Sequence, residues 1–254
     1  MKVHHDHLFF DTSTESTSTR WHRGTVTMRL TACLFIACAR ALVAPRRHLK
    51  PPALTMQCAA AIADALDAVA ASLPIAEVLD EARAALRDAG GTFLWLEAPP
   101  GAGKTTVVPL AAAAERAGGL VVVVEPRRVA ARAAARRMAA SLGESVGKTV
   151  GFAIRGESVR SAATRVLVVT DGVFLAMTRE DPSLAEFGVC VFDEFHERGL
   201  DGDAALALAR AAQTDLRGGA SPLRIVVMSA TLFGEDGGAP ALVAAPNRFK
   251  IPST

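Results

Sequence analysis

The stretch APPGAGKTT, residues 98 to 106, and the acidic pair Asp193-Glu194 in VCVFDEFHERG hold the residues whose types and spacing could do chemistry. A glycine-bearing loop ahead of a helix can turn successive backbone N–H groups inward around an anion, and Gly101 and Gly103 supply the backbone freedom for that turn. Pro100, Gly101, Ala102 and Gly103 would form the cradle. Lys104 would reach the outer phosphates of a nucleotide, and Thr105, followed by Thr106, would offer a hydroxyl to Mg²⁺. One position departs from the GxxxxGK[ST] pattern, since Ala98 stands where the first glycine belongs. Taken alone, the loop could be a capped turn that carries a lysine.

The carboxylates weigh against that plainer reading. Phosphate hydrolysis on such a loop needs one carboxylate at the end of a neighbouring strand for the metal, and a second to orient or deprotonate the attacking water. Asp193 would serve the metal and Glu194 the water, directly after a four-residue apolar run. A solvated turn would explain either acid singly. Two motifs, each closing a strand-like run, make a nucleotide site the better reading.

Such residues need a scaffold that brings strand ends together. TFLWLE (92–97), LVVVVE (120–125), RVLVVT (165–170), VCVFDE (189–194) and LRIVVM (223–228) are short apolar runs rich in β-branched residues. Helical patterns fall between most of them, at 104–117, 128–142, 171–179 and 201–214. This alternation predicts an α/β fold: a mostly parallel sheet with helices on both faces, its ligands at the carboxyl ends of the strands. Two more helices are expected within 58–73 and 75–91, the second closed by Gly90-Gly91.

Composition bounds the rest. In 254 residues, 50% hydrophobic and 21% charged residues fit a globular core and exclude disorder throughout; a net charge of +2 neither demands nor excludes a nucleic-acid partner. Cys33, Cys38, Cys58 and Cys190 form no CxxC pair and no histidine spacing for zinc, so a reducing compartment without disulfides is expected, with Cys190 a small buried hydrophobe. Residues 1–58 read as a disordered region, in which His4, His5, His7 and Asp6 would make at most an adventitious metal site. Within it, 28–50 is leader-like: an apolar run from Leu30 to Ala39, an Ala39-Arg40-Ala41 cleavage pattern and a basic continuation, too short to span a membrane. A plastid address is the first reading and a mitochondrial one the next, with the cytoplasm remaining if the leader is not used. Its place behind Met28 leaves open whether translation starts there or the segment is a stray apolar helix. The domain proper is expected at 59–254, without stable membrane association.

The motifs APPGAGKT, EPRRVAARAAARRMA, VGFAIRGE, TDGVFL, DEFHERGLDGDAAL and MSATL occur in the order, and at roughly the spacing, of the first ATPase domain of superfamily 2 DEAH-box helicases. The resemblance covers about residues 73 to 254, and DEFH together with LPIAEVLDEARAAL resembles the HrpB type, whose loop commonly begins with alanine. It implies a RecA-like P-loop NTPase domain that uses ATP and Mg²⁺. By the same resemblance Lys104, Thr105, Asp193 and Glu194 keep the roles above, and His196 couples the nucleotide site to the rest of the machine. Ser229 and Thr231 of SAT link hydrolysis to movement. Arg137 would stack on the nucleotide base, unless it is one more exposed charge on an arginine-rich helix. On the opposite rim, Arg127 and Arg128 would contact the phosphates of single-stranded nucleic acid, RNA ahead of DNA, without reading sequence, unless they are a solvated basic helix start. Thr170 and Asp171 resemble the family's second backbone-gripping turn.

Helicases of this type close two RecA-like domains on ATP, and the second supplies arginines that offset charge on the transferring phosphate. No second sheet and no QRxGRxGR-like motif precede NRFKIPST at the end of the sequence. The expectation is a truncated motor half whose second domain acts in cis or in trans, one that alone binds ATP weakly and hydrolyses it poorly. A non-catalytic ATP- or RNA-binding module derived from a helicase is the alternative. A small-molecule kinase would leave EPRRVAAR, TDGV and SAT unexplained together.

Overall fold

The computed structural model describes residues 56–87, 93–115, 119–217, 222–231 and 247–250, all within one compact unit, 47–254. The leader-like segment, the histidine triplet, Cys33, Cys38 and the side chain of Cys58 lie outside the described residues.

Runs of branched apolar side chains pack well on a pleated surface and lose little rotamer freedom there. They form β1 (Phe93–Glu97), β2 (Leu120–Glu125), β5 (Val166–Thr170), β6 (Phe187–Phe192) and β7 (Arg224–Ser229), each buried along its whole length. With β3 (Val150–Ile154), β4 (Glu157–Val159) and β8 (Asn247–Lys250) they make one eight-stranded sheet in the order β4-β3-β5-β2-β6-β7-β1-β8. Among the described residues, only the β3–β4 hairpin is antiparallel.

The helices are α1 (Met56–Ala70), α2 (Ala76–Arg87), α3 (Lys104–Glu115), α4 (Arg128–Ser141), α5 (Asp171–Glu180) and α6 (Leu200–Ala211), the last running into a single π turn at Ala212–Leu216. Alternate strand residues enter opposite layers, as the two-residue period of a strand requires. Leu94, Leu96, Val121 and Val123 join Leu66, Leu79, Leu110 and Met138 of α1 to α4 on one face; Phe93, Trp95, Val122 and Val124 join Phe174 and Leu206 of α5 and α6 on the other. Each such aliphatic buried from water contributes about 1.5–3 kcal/mol before chain entropy is counted.

Three features differ from the expectations. The hairpin β3–β4 was not anticipated: VGFAI is interrupted by Gly151, and β4 is three partly exposed residues with no alternation to detect. Gly151 belongs there because a Cβ would stand 2.7 Å from the carbonyl oxygen of Val159. Next, β6 begins at Phe187, so Asp193 and Glu194 follow the strand and do not end it. Finally, β1 and β6 are not neighbours, since β7 lies between them. Strand order is a property of the whole sheet that local patterns do not encode.

The hairpin of α1 and α2 buttresses α3. Arg83 pairs with Asp67 at 3.0 Å and with Glu115 at 3.5 Å, and Arg87 pairs with Glu115 at 3.0 Å. The turn between α1 and α2 thereby presses on the glycine loop. The N–H of Ile75 donates to the Ala102 carbonyl at 3.1 Å, and a Cβ on Gly103 would lie 2.8 Å from Leu73 Cδ1.

Candidate active site

The loop leaves β1 and enters α3 through Gly101 at φ +82° and Gly103 at φ +97°, conformations that glycine adopts at little cost. Its first residue is tied across the sheet, the Ala98 N–H donating to the Ser229 carbonyl at 3.1 Å. Lys104 opens α3, is buried, and donates from Nζ to the carbonyls of Ala98 and, at 3.1 Å, Pro99. Burial lowers its pKa, with Glu194 and Asp193 opposing that shift by their charge. An ammonium solvated only by neutral carbonyls and near two acids is poised to exchange those carbonyls for a phosphate oxygen. Thr106 is buried, and its N–H bonds back to the Gly103 carbonyl at 3.1 Å, so it secures the first helical turn.

Thr105 carries the contact across to the second motif: its Oγ1 donates to Asp193 Oδ2 at 2.5 Å. Asp193 is held in place on every side. Its N–H donates to the Val124 carbonyl at 3.0 Å, and its Oδ1 accepts the Glu194 N–H at 2.8 Å. Glu125, at the end of the adjacent β2, hydrogen-bonds the same carboxylate. Burial, and then the charge of Asp193, push the Glu125 carboxyl up to about 9, so Glu125 carries the proton of the pair at neutral pH. Burial raises Asp193 as well, but Thr105, the Glu194 N–H and Lys104 all oppose that rise.

Glu194 sits at φ 48°, ψ 38°, the left-handed region, which costs a non-glycine residue about 1–3 kcal/mol. Its carboxyl is pushed up by partial burial and by Asp193, and its Oε2 lies 3.3 Å from His196 Nδ1. Ser229 closes β7, wholly buried, and its Oγ accepts the N–H of Thr231 at 3.0 Å, while Thr231 itself is exposed. Thus Lys104, Thr105, Asp193, Glu194, His196 and Ser229 form one connected group over the C-terminal ends of β1, β7 and β6.

The residues expected to grip a strand form a second group along the same rim, not the opposite one, because β2 and β5 run parallel to β6 and end at the same edge of the sheet. Arg127 and Arg128 follow β2 and are exposed, Arg127 Nε bonding Glu197 Oε2 at 3.0 Å and Arg128 Nη2 the Arg155 carbonyl at 3.1 Å. Thr170 is buried at the N-terminus of α5. Asp171 opens into a cavity of about 420 Å³ that Asp193, Glu194, Glu197 and Asp201 also line. Burial, then Asp201 and Glu197, raise the Asp171 carboxyl to about 6. That side chain faces other acids, so a phosphate would meet the backbone of this turn sooner than the carboxyl. Arg137 is exposed on α4, and its side chain makes no hydrogen bond or ion pair with any described residue.

Sequence reasoning passed over Glu125 and Glu197. Glu125 closes an apolar strand run ahead of Pro126, as Asp193 follows one, and that shared placement was the available signal. Its partner becomes visible only once β2 and β6 are known to be adjacent.

A model of the DEAD/DEAH box helicase family matches residues 75–236. The chain is 44% identical over 162 residues to the ATP-dependent RNA helicase HrpB of Escherichia coli, a match covering 63% of this chain and 19% of that protein. It is 38% identical over 138 residues to the DExH-box ATP-dependent RNA helicase DExH1 of Arabidopsis thaliana, covering 52% and 14%. It is 34% identical over 184 residues to the ATP-dependent RNA helicase DHX33 of Mus musculus, covering 71% and 26%. Among solved structures, the crystal structure of the Escherichia coli DEAH/RHA helicase HrpB superimposes with a TM-score of 0.59 at 44% identity, over 65% of this chain and 20% of that one. The matched part therefore spans about a fifth of the length of these relatives. The chain belongs to the DEAD/DEAH box helicase family.

Proposed function

We propose that this chain is the ATP-binding half of an ATP-dependent RNA helicase motor, in which hydrolysis at the glycine loop is coupled to movement along a single strand. The observation that carries the reading is the Thr105–Asp193 hydrogen bond, which joins the phosphate loop to the acidic motif across the intervening β7. The relatives named above are RNA helicases, and that favours RNA over DNA as the strand.

The residues fit Mg²⁺. A hydroxyl and a carboxylate are the hard oxygen donors that ion takes, and it is commonly held by one or two protein groups with phosphate and water completing the shell. Thr105 and Asp193 would hold it, and bound there it would neutralise charge on the phosphates. Among the described residues no cluster of three or more His, Cys, Asp and Glu side chains is arranged to hold a metal by itself, which suits a site completed by its nucleotide.

The chain's own groups divide the remaining work. The N–H groups of 101–104 and the Lys104 ammonium bind the phosphates once that ammonium leaves the Ala98 and Pro99 carbonyls. Glu194 orients the attacking water and takes its proton at a carboxylate oxygen, and its raised pKa makes it a stronger base than a solvated carboxylate. His196, on the same carboxylate, and Ser229, bonded to the loop through Ala98, are placed to sense a change at the nucleotide. Arg137 would cover the base. Arginines that offset charge on the transferring phosphate would come from a second RecA-like domain, in cis or in trans.

The reading is tested by hydrolysis in a single turnover, with protein in excess over ATP, with and without single-stranded RNA. Strand-stimulated hydrolysis that Lys104→Ala abolishes is the expected result. Nucleotide binding without hydrolysis under every condition would favour a non-catalytic binding module.

A further inference from the structure

We propose that Glu197 is a positioning residue that controls strand binding by occupying Arg127, so that a strand phosphate must displace Glu197 in order to be bound. The inference rests on the reading of the rim as a nucleic-acid surface. Arg127 has 72% of its side chain exposed and Glu197 30%, yet their charged ends meet at 3.0 Å through Arg127 Nε. One guanidinium therefore faces two candidate anions, a carboxylate already in place and a phosphate arriving from solvent.

The surroundings explain why Glu197 holds a cation at all. It projects from the turn that carries Glu194, its N–H donating to the Glu194 carbonyl at 3.0 Å. Its charge acts on Glu125, Asp171 and Glu194, and with Asp171 and Asp201 it lines the acidic cavity. In that setting Arg127 offsets negative charge that would otherwise repel an approaching strand. Exposed ion pairs contribute little net stability, so the pair is easily exchanged, and a phosphate offers the guanidinium a fork-shaped, charge-assisted contact of the same kind. Arg128, by contrast, is held only by a neutral carbonyl and meets no such competitor among the described residues.

The experiment is equilibrium binding of a fluorescent 20-nucleotide oligouridylate to the full chain and to Glu197→Gln, Arg127→Gln and the double variant, over a range of salt. Glu197→Gln should tighten binding three- to tenfold. Arg127→Gln should weaken it and lower the salt slope by about 0.7, the value for one phosphate of a single strand. The double variant should match Arg127→Gln within twofold, because Glu197 has then nothing to withhold. If Glu197→Gln tightens binding equally with Arg127 present or replaced, the effect is unspecific charge removal and the proposal is overturned while the rim keeps its role. If the unaltered chain does not bind the oligonucleotide at low salt, the reading of the rim fails and this inference fails with it.

Discussion

Thr105 Oγ1 and Asp193 Oδ2 stand 2.5 Å apart, although β7 separates the strands that deliver them. Two motifs distant in sequence meet because both β1 and β6 release their chain at the same edge of a parallel sheet. The bond also orients Asp193 before any ligand arrives, together with the Glu194 N–H and the Glu125 carboxyl. Hydrogen bonds to a charged group contribute about 1.5–3 kcal/mol. Thr105→Ala should therefore weaken Mg²⁺-dependent binding of ATP by roughly ten- to a hundredfold, while binding of ATP in chelator changes little. Titration of a fluorescent nucleotide with and without Mg²⁺ measures both; an equal loss in the two conditions would argue against a metal role for this pair.

Gly101 and Gly103 look alike in sequence and should respond differently. A Cβ at Gly101 meets nothing within 4 Å, so Gly101→Ala bears only the left-handed backbone strain, about 1 kcal/mol. A Cβ at Gly103 would also collide with Leu73, at 2.8 Å from its Cδ1. Because Leu73 is half-buried and its Cδ1 is the far end of a flexible side chain, Gly103→Ala should cost about 1 kcal/mol more, the low end of the range for overpacking. Thermal unfolding of the two variants side by side decides this; equal melting temperatures would contradict the buttressing by the α1–α2 turn.

Glu194 holds a strained backbone at a site proposed for catalysis, a combination in which function opposes stability. Glu194→Gly should remove both that strain and a carboxylate beside Asp193, gains that exceed the extra chain entropy of glycine. A net stabilisation of about 1 kcal/mol corresponds to a rise of about 2–4 °C in melting temperature for a domain of this size. The same variant should be inactive. A lower melting temperature would show that the left-handed turn is not strained.

Glu125 gives stability a definite pH dependence. Its folded pKa, about 9, lies above the ordinary carboxyl value of 4.5, so the folded state keeps a proton that the unfolded chain releases. Its stabilising contribution is complete below pH 4.5 and is lost as pH rises from there through 9. Glu125→Gln keeps a hydrogen-bond donor for Asp193 and has no proton to lose. The variant should flatten the fall in melting temperature between pH 6 and 9, measured without metal or nucleotide. An unchanged slope would place the proton elsewhere.

Much of the fold could be read from residue patterns, for a physical reason. LVVVVE or RVLVVT can be buried on both faces only in a covered parallel sheet, and the helical periods between them supply the cover. The place of the glycine loop and of the acidic pair at strand ends was legible because each directly follows an apolar run. What escaped depends on neighbours in space: the β3–β4 hairpin, held by a close approach at Gly151; the place of β7 between β1 and β6; and the partners of Glu125 and Glu197. The exposed side chain of Arg137 leaves its assigned role to be tested by nucleotide binding.

The most direct test of the central claim compares the unaltered chain with Glu194→Gln in single-turnover ATP hydrolysis, alongside nucleotide affinity. A general base contributes about 10²- to 10⁴-fold, so hydrolysis should fall by that factor while affinity for ATP and Mg²⁺ stays within threefold. Hydrolysis at the original rate in Glu194→Gln would contradict the account, because the proton of the attacking water would then be taken elsewhere.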